Sequence, residues 1–207
     1  MQILRTKSLR YLIASPPTPA AGRNGLPVLC FLHGLREAAP LEIRKALTLH
    51  GPLCHRKTCL PIQSFVVVAP QLPSPRSRWR DHVDDVIDIV GMVQRGVDCD
   101  AERASLTGFS YGADGIFEVA GANPGLWRAL WAVDPTRVPS RAPMRPTWLS
   151  LGEMSRALMC DFERCLGVRS QAAGELGDFV CEDRGLDHVG TATAAYRDER
   201  IYMWLLQ

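Results

Sequence analysis

Ser110 sits at the centre of Gly108-Phe109-Ser110-Tyr111-Gly112, a serine between two glycines at the spacing a sharp strand-to-helix turn requires. Such a turn lifts the hydroxyl above a sheet edge, and a Cβ two positions to either side would strike neighbouring backbone, so glycine at 108 and 112 is its steric condition. A serine hydroxyl is barely ionised at neutral pH. To attack an acyl carbon it needs a neutral imidazole to take its proton and return it to the leaving group. Of the five histidines, His33, His50, His55 and His82 precede the serine, and His188 alone follows it, in the segment Asp187-His188. A Gly-x-Ser-x-Gly elbow goes with a base that follows the serine in chain order, which makes His188 the candidate.

Positioning these groups falls to an alternation of short apolar runs with longer amphipathic ones, which predicts a mostly parallel sheet covered by helices. Strands are expected over 9–14, 28–32 (ending at His33-Gly34), 65–69, 104–107 (running into Ser110), 126–133 with Asp134 at its end, 148–151 and 179–181. A Pro/Gly-rich turn is expected over 15–27 and a polar turn over 97–103. Over 81–94, Val83, Val86, Ile87, Val90 and Val93 form one apolar stripe, which predicts a helix with Asp81, Asp84, Asp85 and Asp88 on a solvated face. Ile116, Val119 and Ala120 recur at helical spacing after the serine. Further helices are expected over 155–166 and 191–206, the last carrying Tyr196, Arg197 and Trp204, with Asp187-His188 in the loop before it.

A length of 207 residues with 46% hydrophobic and 22% charged residues is enough for one sizeable core and too little for two, so 1–207 is read as one α/β domain. A net charge of only +2, with basic and acidic residues interspersed, argues against a nucleic-acid partner. The apolar run Tyr11-Leu12-Ile13-Ala14 stops at Ser15-Pro16-Pro17, far short of a signal sequence or a membrane span. Seven cysteines, an odd count spread over expected strands, turns and helices, form no secreted disulfide framework, and the chain reads as soluble, unexported and cytoplasmic. His50, Cys54, His55 and Cys59 lie close in sequence, but their spacing matches no standard zinc finger or ribbon, and they are read as a metal-free loop. No metal or cofactor is called for.

Serine after a central strand and histidine after the last strand is the chain order of the α/β-hydrolase arrangement, and the resemblance extends along most of the chain. Phe31-Leu32-His33-Gly34-Leu35-Arg36-Glu37 resembles the His-Gly-x-x-Glu segment of dienelactone hydrolase-like and polyhydroxybutyrate depolymerase-like esterases. Val68-Ala69-Pro70-Gln71 followed by Trp79, residues 98–112, and the ending from His188 through Tyr196 to Leu206 are similar to the same group. The resemblance implies a compact α/β-hydrolase fold and cleavage of an ester, thioester or lactone through an acyl-serine intermediate, on a small-molecule acyl substrate. It implies an oxyanion hole made by the N–H groups of Leu35 and Tyr111. It also suggests that Trp79 lines the acyl pocket, although a tryptophan there could equally cover the core edge. The short chain leaves little room for a lid, so a fairly open pocket is expected.

One position departs from the pattern. The relatives carry their acid after the seventh strand, where Trp148-Leu149-Ser150-Leu151-Gly152-Glu153-Met154-Ser155 puts Ser155. Asp134, Glu153 and Asp161 could substitute while preserving the order serine, acid, histidine, and Asp134, at a strand end one strand earlier, is preferred. Asp134 could instead cap the turn at Pro135-Thr136. The gap leaves a second reading open, an α/β-hydrolase fold that binds or transfers without hydrolysing. Asp114, one turn past the serine, is expected to face water near the helix N-terminus, with a substrate contact as the alternative.

Overall fold

The computed structural model of the chain describes residues 1–16, 25–55, 59–96, 99–170 and 177–207. The expected turn over 15–27 lies mostly outside them, as do Val97 and Asp98. Among the described residues, nine strands form one sheet: β1 (Gln2–Arg5), β2 (Arg10–Ala14), β3 (Leu26–Leu32), β4 (Val66–Gln71), β5 (Cys99–Phe109), β6 (Trp127–Val133), β7 (Thr147–Leu151), β8 (Arg169–Ser170) and β9 (Phe179–Asp183). Their order across the sheet is β1-β2-β4-β3-β5-β6-β7-β9-β8. The β1/β2 and β2/β4 pairs are antiparallel and the others parallel.

The central strands are apolar throughout because both faces are covered. In β3, Leu26, Val28, Cys30 and Leu32 point into the core shared with α2 (Val83–Gly96), α3 (Tyr111–Ala122) and α4 (Met159–Leu166). Leu29 and Phe31 point into the core on the opposite face, shared with α1 (Ile43–Leu47), α5 (His188–Ala195) and α6 (Glu199–Leu205). This two-residue alternation gives each face its own helices.

Several elements differ from expectation. β1 has no buried residue, so no hydrophobic pattern marks it; backbone pairing to β2 alone makes it a strand. Residues 99–103, expected as a turn, are the partly exposed start of β5, where Cys99 pairs with Leu26. In α2 the deeply buried stripe is Val86, Ile89, Val90 and Val93, with Ile87 at its margin. The expected helix over 155–166 opens as a 3₁₀ turn at Arg156–Leu158 before α4. The expected C-terminal helix is two: α5 starts earlier, at His188, with Asp187 as its N-cap, and α6 restarts where the Asp198 side chain accepts from the Arg200 N–H. An aspartate cap inside an otherwise helical pattern is what divides them. No helix of the described residues is long and apolar enough to cross a membrane.

Candidate active site

Ser110 lies between the end of β5 and the start of α3 with φ 56° and ψ −122°. This left-handed backbone is tolerated because the turn is fixed on both sides. The Ser110 N–H donates to the Val133 carbonyl at 2.9 Å. A Cβ on Gly108 would stand 2.4 Å from the Gly112 carbonyl oxygen, and one on Gly112 would stand 2.0 Å from that of Leu32. Glycine at these two positions is thus a packing requirement of the elbow, as its spacing suggested.

His188 is the first residue of α5, and the Asp187 side chain caps the helix by accepting from the Gly190 N–H at 2.6 Å. Its Nε2 is 2.9 Å from Ser110 Oγ and its Nδ1 is 2.6 Å from Asp134 Oδ2. With Asp134 ionised, Nδ1 carries the proton and donates to the carboxylate, which leaves Nε2 to accept from the serine hydroxyl. The imidazole also packs on Phe109, ring centroids 4.6 Å apart.

Asp134 is fully buried at the end of β6, with φ 45°. Its carboxylate is wrapped by the loop after β7. Oδ1 accepts from the N–H groups of Gly152 and Ser155, both at 3.0 Å, and from Ser155 Oγ at 2.6 Å. Oδ2 accepts from the Met154 N–H at 3.3 Å beside the imidazole. Burial pushes the Asp134 carboxyl up, but the hydrogen bonds from His188, Ser155 and the two backbone N–H groups outweigh it and hold it below the usual carboxylate range. Gly152 is required here as well, since its Cβ would meet the Asp134 carboxyl carbon at 2.6 Å.

The other two acids are placed elsewhere. Glu153 Oε2 accepts from the backbone N–H of His188 at 3.4 Å. Asp161 is ion-paired to Arg164 on the outside of α4.

On the other side of the serine, the turn after β3 runs through Gly34 into a 3₁₀ turn, Leu35–Glu37. A Cβ on Gly34 would lie 3.5 Å from Ser110 Cβ, so this turn faces the elbow directly. His33 anchors it: Nδ1–H donates to the Gly34 carbonyl at 2.6 Å and Nε2 accepts from the Leu72 N–H at 3.0 Å. Burial lowers His33 to about 4, so it stays neutral in this role. The N–H groups of Leu35 and Tyr111 open their respective turns, and among the described residues neither donates to another backbone carbonyl.

Trp79 does not line an open pocket. It is only 1% exposed, its indole N–H donates to the His33 carbonyl at 3.2 Å, and it packs against Gly115 of α3. The tryptophan holds the His33 turn and α3 together from beneath. Asp114 also differs from expectation. It is buried, and its carboxylate accepts from the Thr136 N–H at 2.8 Å, Thr136 Oγ1 at 2.5 Å and the Arg137 N–H at 3.2 Å. It therefore ties α3 to the segment following Asp134.

Two residues that the sequence named for other reasons have supporting contacts that it did not signal. Ser155 is the first. The second is His50, whose Nε2 lies 3.8 Å from the buried Glu37 carboxylate and whose ring contacts Phe109. Both depend on loop contacts between residues distant in the chain.

No protein-family model matches this chain, and no curated protein matches it by sequence. Solved structures match at low identity. FphF, a fluorophosphonate-binding serine hydrolase of Staphylococcus aureus, superposes with a TM-score of 0.69 at 11% identity, over 100% of this chain and 97% of that one. An S-formylglutathione hydrolase from Agrobacterium tumefaciens gives 0.66 at 15% identity, over 99% and 93%. The chain has the α/β-hydrolase fold. A thermostable esterase gives 0.67 at 19% identity over 96% of this chain, which spans 58% of the length of that esterase. In the α/β-hydrolase fold an elbow serine at the sheet's C-terminal edge is in the customary place for a nucleophile. Here that serine has an imidazole and a buried carboxylate in line behind it, which is a geometry able to move a proton away from Oγ.

Proposed function

We propose that this protein is a serine hydrolase that cleaves an ester, thioester or lactone of a small-molecule substrate through an acyl-Ser110 intermediate. The observation that carries this reading is the continuous hydrogen-bond chain from Ser110 Oγ through His188 to Asp134, at 2.9 and 2.6 Å. In the proposed reaction Ser110 Oγ attacks the acyl carbon while His188 Nε2 takes its proton. The Asp134 carboxylate fixes the tautomer and stabilises the imidazolium that forms. The N–H groups of Leu35 and Tyr111 donate to the oxyanion, with the N-terminus of α3 adding its dipole. As the tetrahedral intermediate collapses, the leaving alkoxide or thiolate receives the proton from His188. Water then repeats the sequence on the acyl-serine, with His188 as its base.

The names of the structural neighbours, an esterase, an S-formylglutathione hydrolase and a fluorophosphonate-binding serine hydrolase, agree with this chemistry. The five contacts that fix Asp134 favour it over a non-hydrolytic role, because an acid held this way can steady the histidine. The free cysteines of the described residues suit a reducing, cytoplasmic setting. A fluorophosphonate probe tests the proposal. Wild-type protein should be labelled and Ser110→Ala should not, whereas a folded wild-type protein that resists labelling would overturn it.

A further inference from the structure

The connection from β6 to β7, residues 134–146, crosses the sheet without a helix, although the connections before and after it carry α3 and α4. In place of a packed helix, a groove of about 900 Å3 runs between this segment and α3. None of Ser110, His188 and Asp134 lines it. Phe117, Val138 and Ala142 line it with apolar surface against the core. Its volume and mixed lining suit a small amphipathic ligand.

The charges along the groove are unevenly compensated. Asp114 is satisfied by Thr136 and by the Arg137 N–H. Glu118 takes a 2.8 Å ion pair from Arg137. Those contacts use the acidic groups and one of three arginines. Arg141 and Arg145 line the groove without an ion pair among the described residues, and Arg145 Nε is shielded from solvent with no hydrogen-bond acceptor. A shielded guanidinium N–H without a partner needs an explanation, and a guanidinium lining the groove presents the donor fork that a carboxylate or phosphate accepts. Met144 lies between them in the chain. It also lines the groove, is 79% exposed and has φ 53°, a backbone region an unbranched non-glycine residue rarely adopts.

We infer that this groove is a second binding site, for a ligand with one anionic head group, carboxylate or phosphate monoester, and an apolar body. The head bonds Arg141 and Arg145, and the body lies along Phe117, Val138 and Met144.

Calorimetric titration of the full chain carrying Ser110→Ala tests this without any contribution from hydrolysis. Octanoate, octyl phosphate and uncharged octanol, each below its aggregation limit, are the probes. One or both anions should bind at least about tenfold more tightly than octanol, the range for charge-assisted hydrogen bonds. Arg141→Gln with Arg145→Gln should remove that preference and leave octanol unchanged, and Met144→Ser should weaken all three. Competition by inorganic phosphate or by acetate then separates the two head groups. If Arg145→Gln does not fold, Arg141→Gln alone should still cost a measurable part of the anion preference. Absence of anion binding overturns the inference. So does octanoate affinity that survives the arginine substitutions, since it would place the acyl chain at Ser110 instead.

Discussion

Ser155 Oγ donates a 2.6 Å hydrogen bond to Asp134 Oδ1, so the residue at the position where the sequence pattern led us to look for an acid holds the carboxylate that faces His188. The carboxylate stands at the end of β6, and the loop after β7 clamps it. Gly152, Met154 and Ser155 supply the N–H donors, and the serine hydroxyl adds a fourth.

Asp134→Asn should preserve the fold and lower kcat for a nitrophenyl ester by about 10⁴, the cost of losing the carboxylate that sets the histidine tautomer. Glu153→Gln should change kcat by less than about threefold, since the hydrogen bond Glu153 accepts comes from the His188 backbone N–H. Equal effects of the two substitutions would remove Asp134 from the proposed triad.

Ser155→Ala deletes one donor to a buried carboxylate that retains its backbone N–H groups. It should cost about 1–3 kcal/mol in urea unfolding and leave fluorophosphonate labelling detectable. Complete loss of labelling in a folded variant would mean that the hydroxyl does more than hold Asp134.

Gly115→Ala puts a Cβ 2.6 Å from the Cβ and Cγ of Trp79, atoms at the root of a buried indole. Overpacking of this kind should destabilise the protein by about 1–3 kcal/mol. Because Trp79 supports His33, kcat should fall as well. A variant with unchanged unfolding midpoint and turnover would contradict the support role assigned to Trp79.

Glu37 gives a pH dependence whose sign is fixed. Burial pushes its carboxyl from 4.5 up to about 7, partly offset by the Gly34 N–H and the charge of His188. The unfolded chain therefore releases this proton at lower pH than the folded one. Stability from Glu37 is complete below about pH 4.5 and is lost as pH rises to about 7. Relative to Glu37→Gln, the wild type should lose about 3 kcal/mol across that window. Paired denaturation curves from pH 4 to 8 measure it, and a constant difference between the two proteins would refute it.

By itself the sequence determined the elbow, the candidate base and the parallel core, because each rests on pattern along the chain. Gly108 and Gly112 flank Ser110 at the spacing a sharp strand-to-helix turn requires, His188 is the sole histidine after it, and continuous apolar runs such as Leu26–Leu32 mark strands covered on both faces. What it left open is whatever depends on contacts across the chain. Three carboxylates satisfied the required order, and only the tertiary structure separates them: β6 and β7 are neighbours, so the loop at 152–155 closes on Asp134, while Asp161 lies out on α4. Trp79 and Asp114 were ambiguous for the same reason. A tryptophan or an aspartate reads alike in sequence whether it faces solvent, a substrate or a buried partner, and the partners, His33 and Thr136, are 46 and 22 residues away.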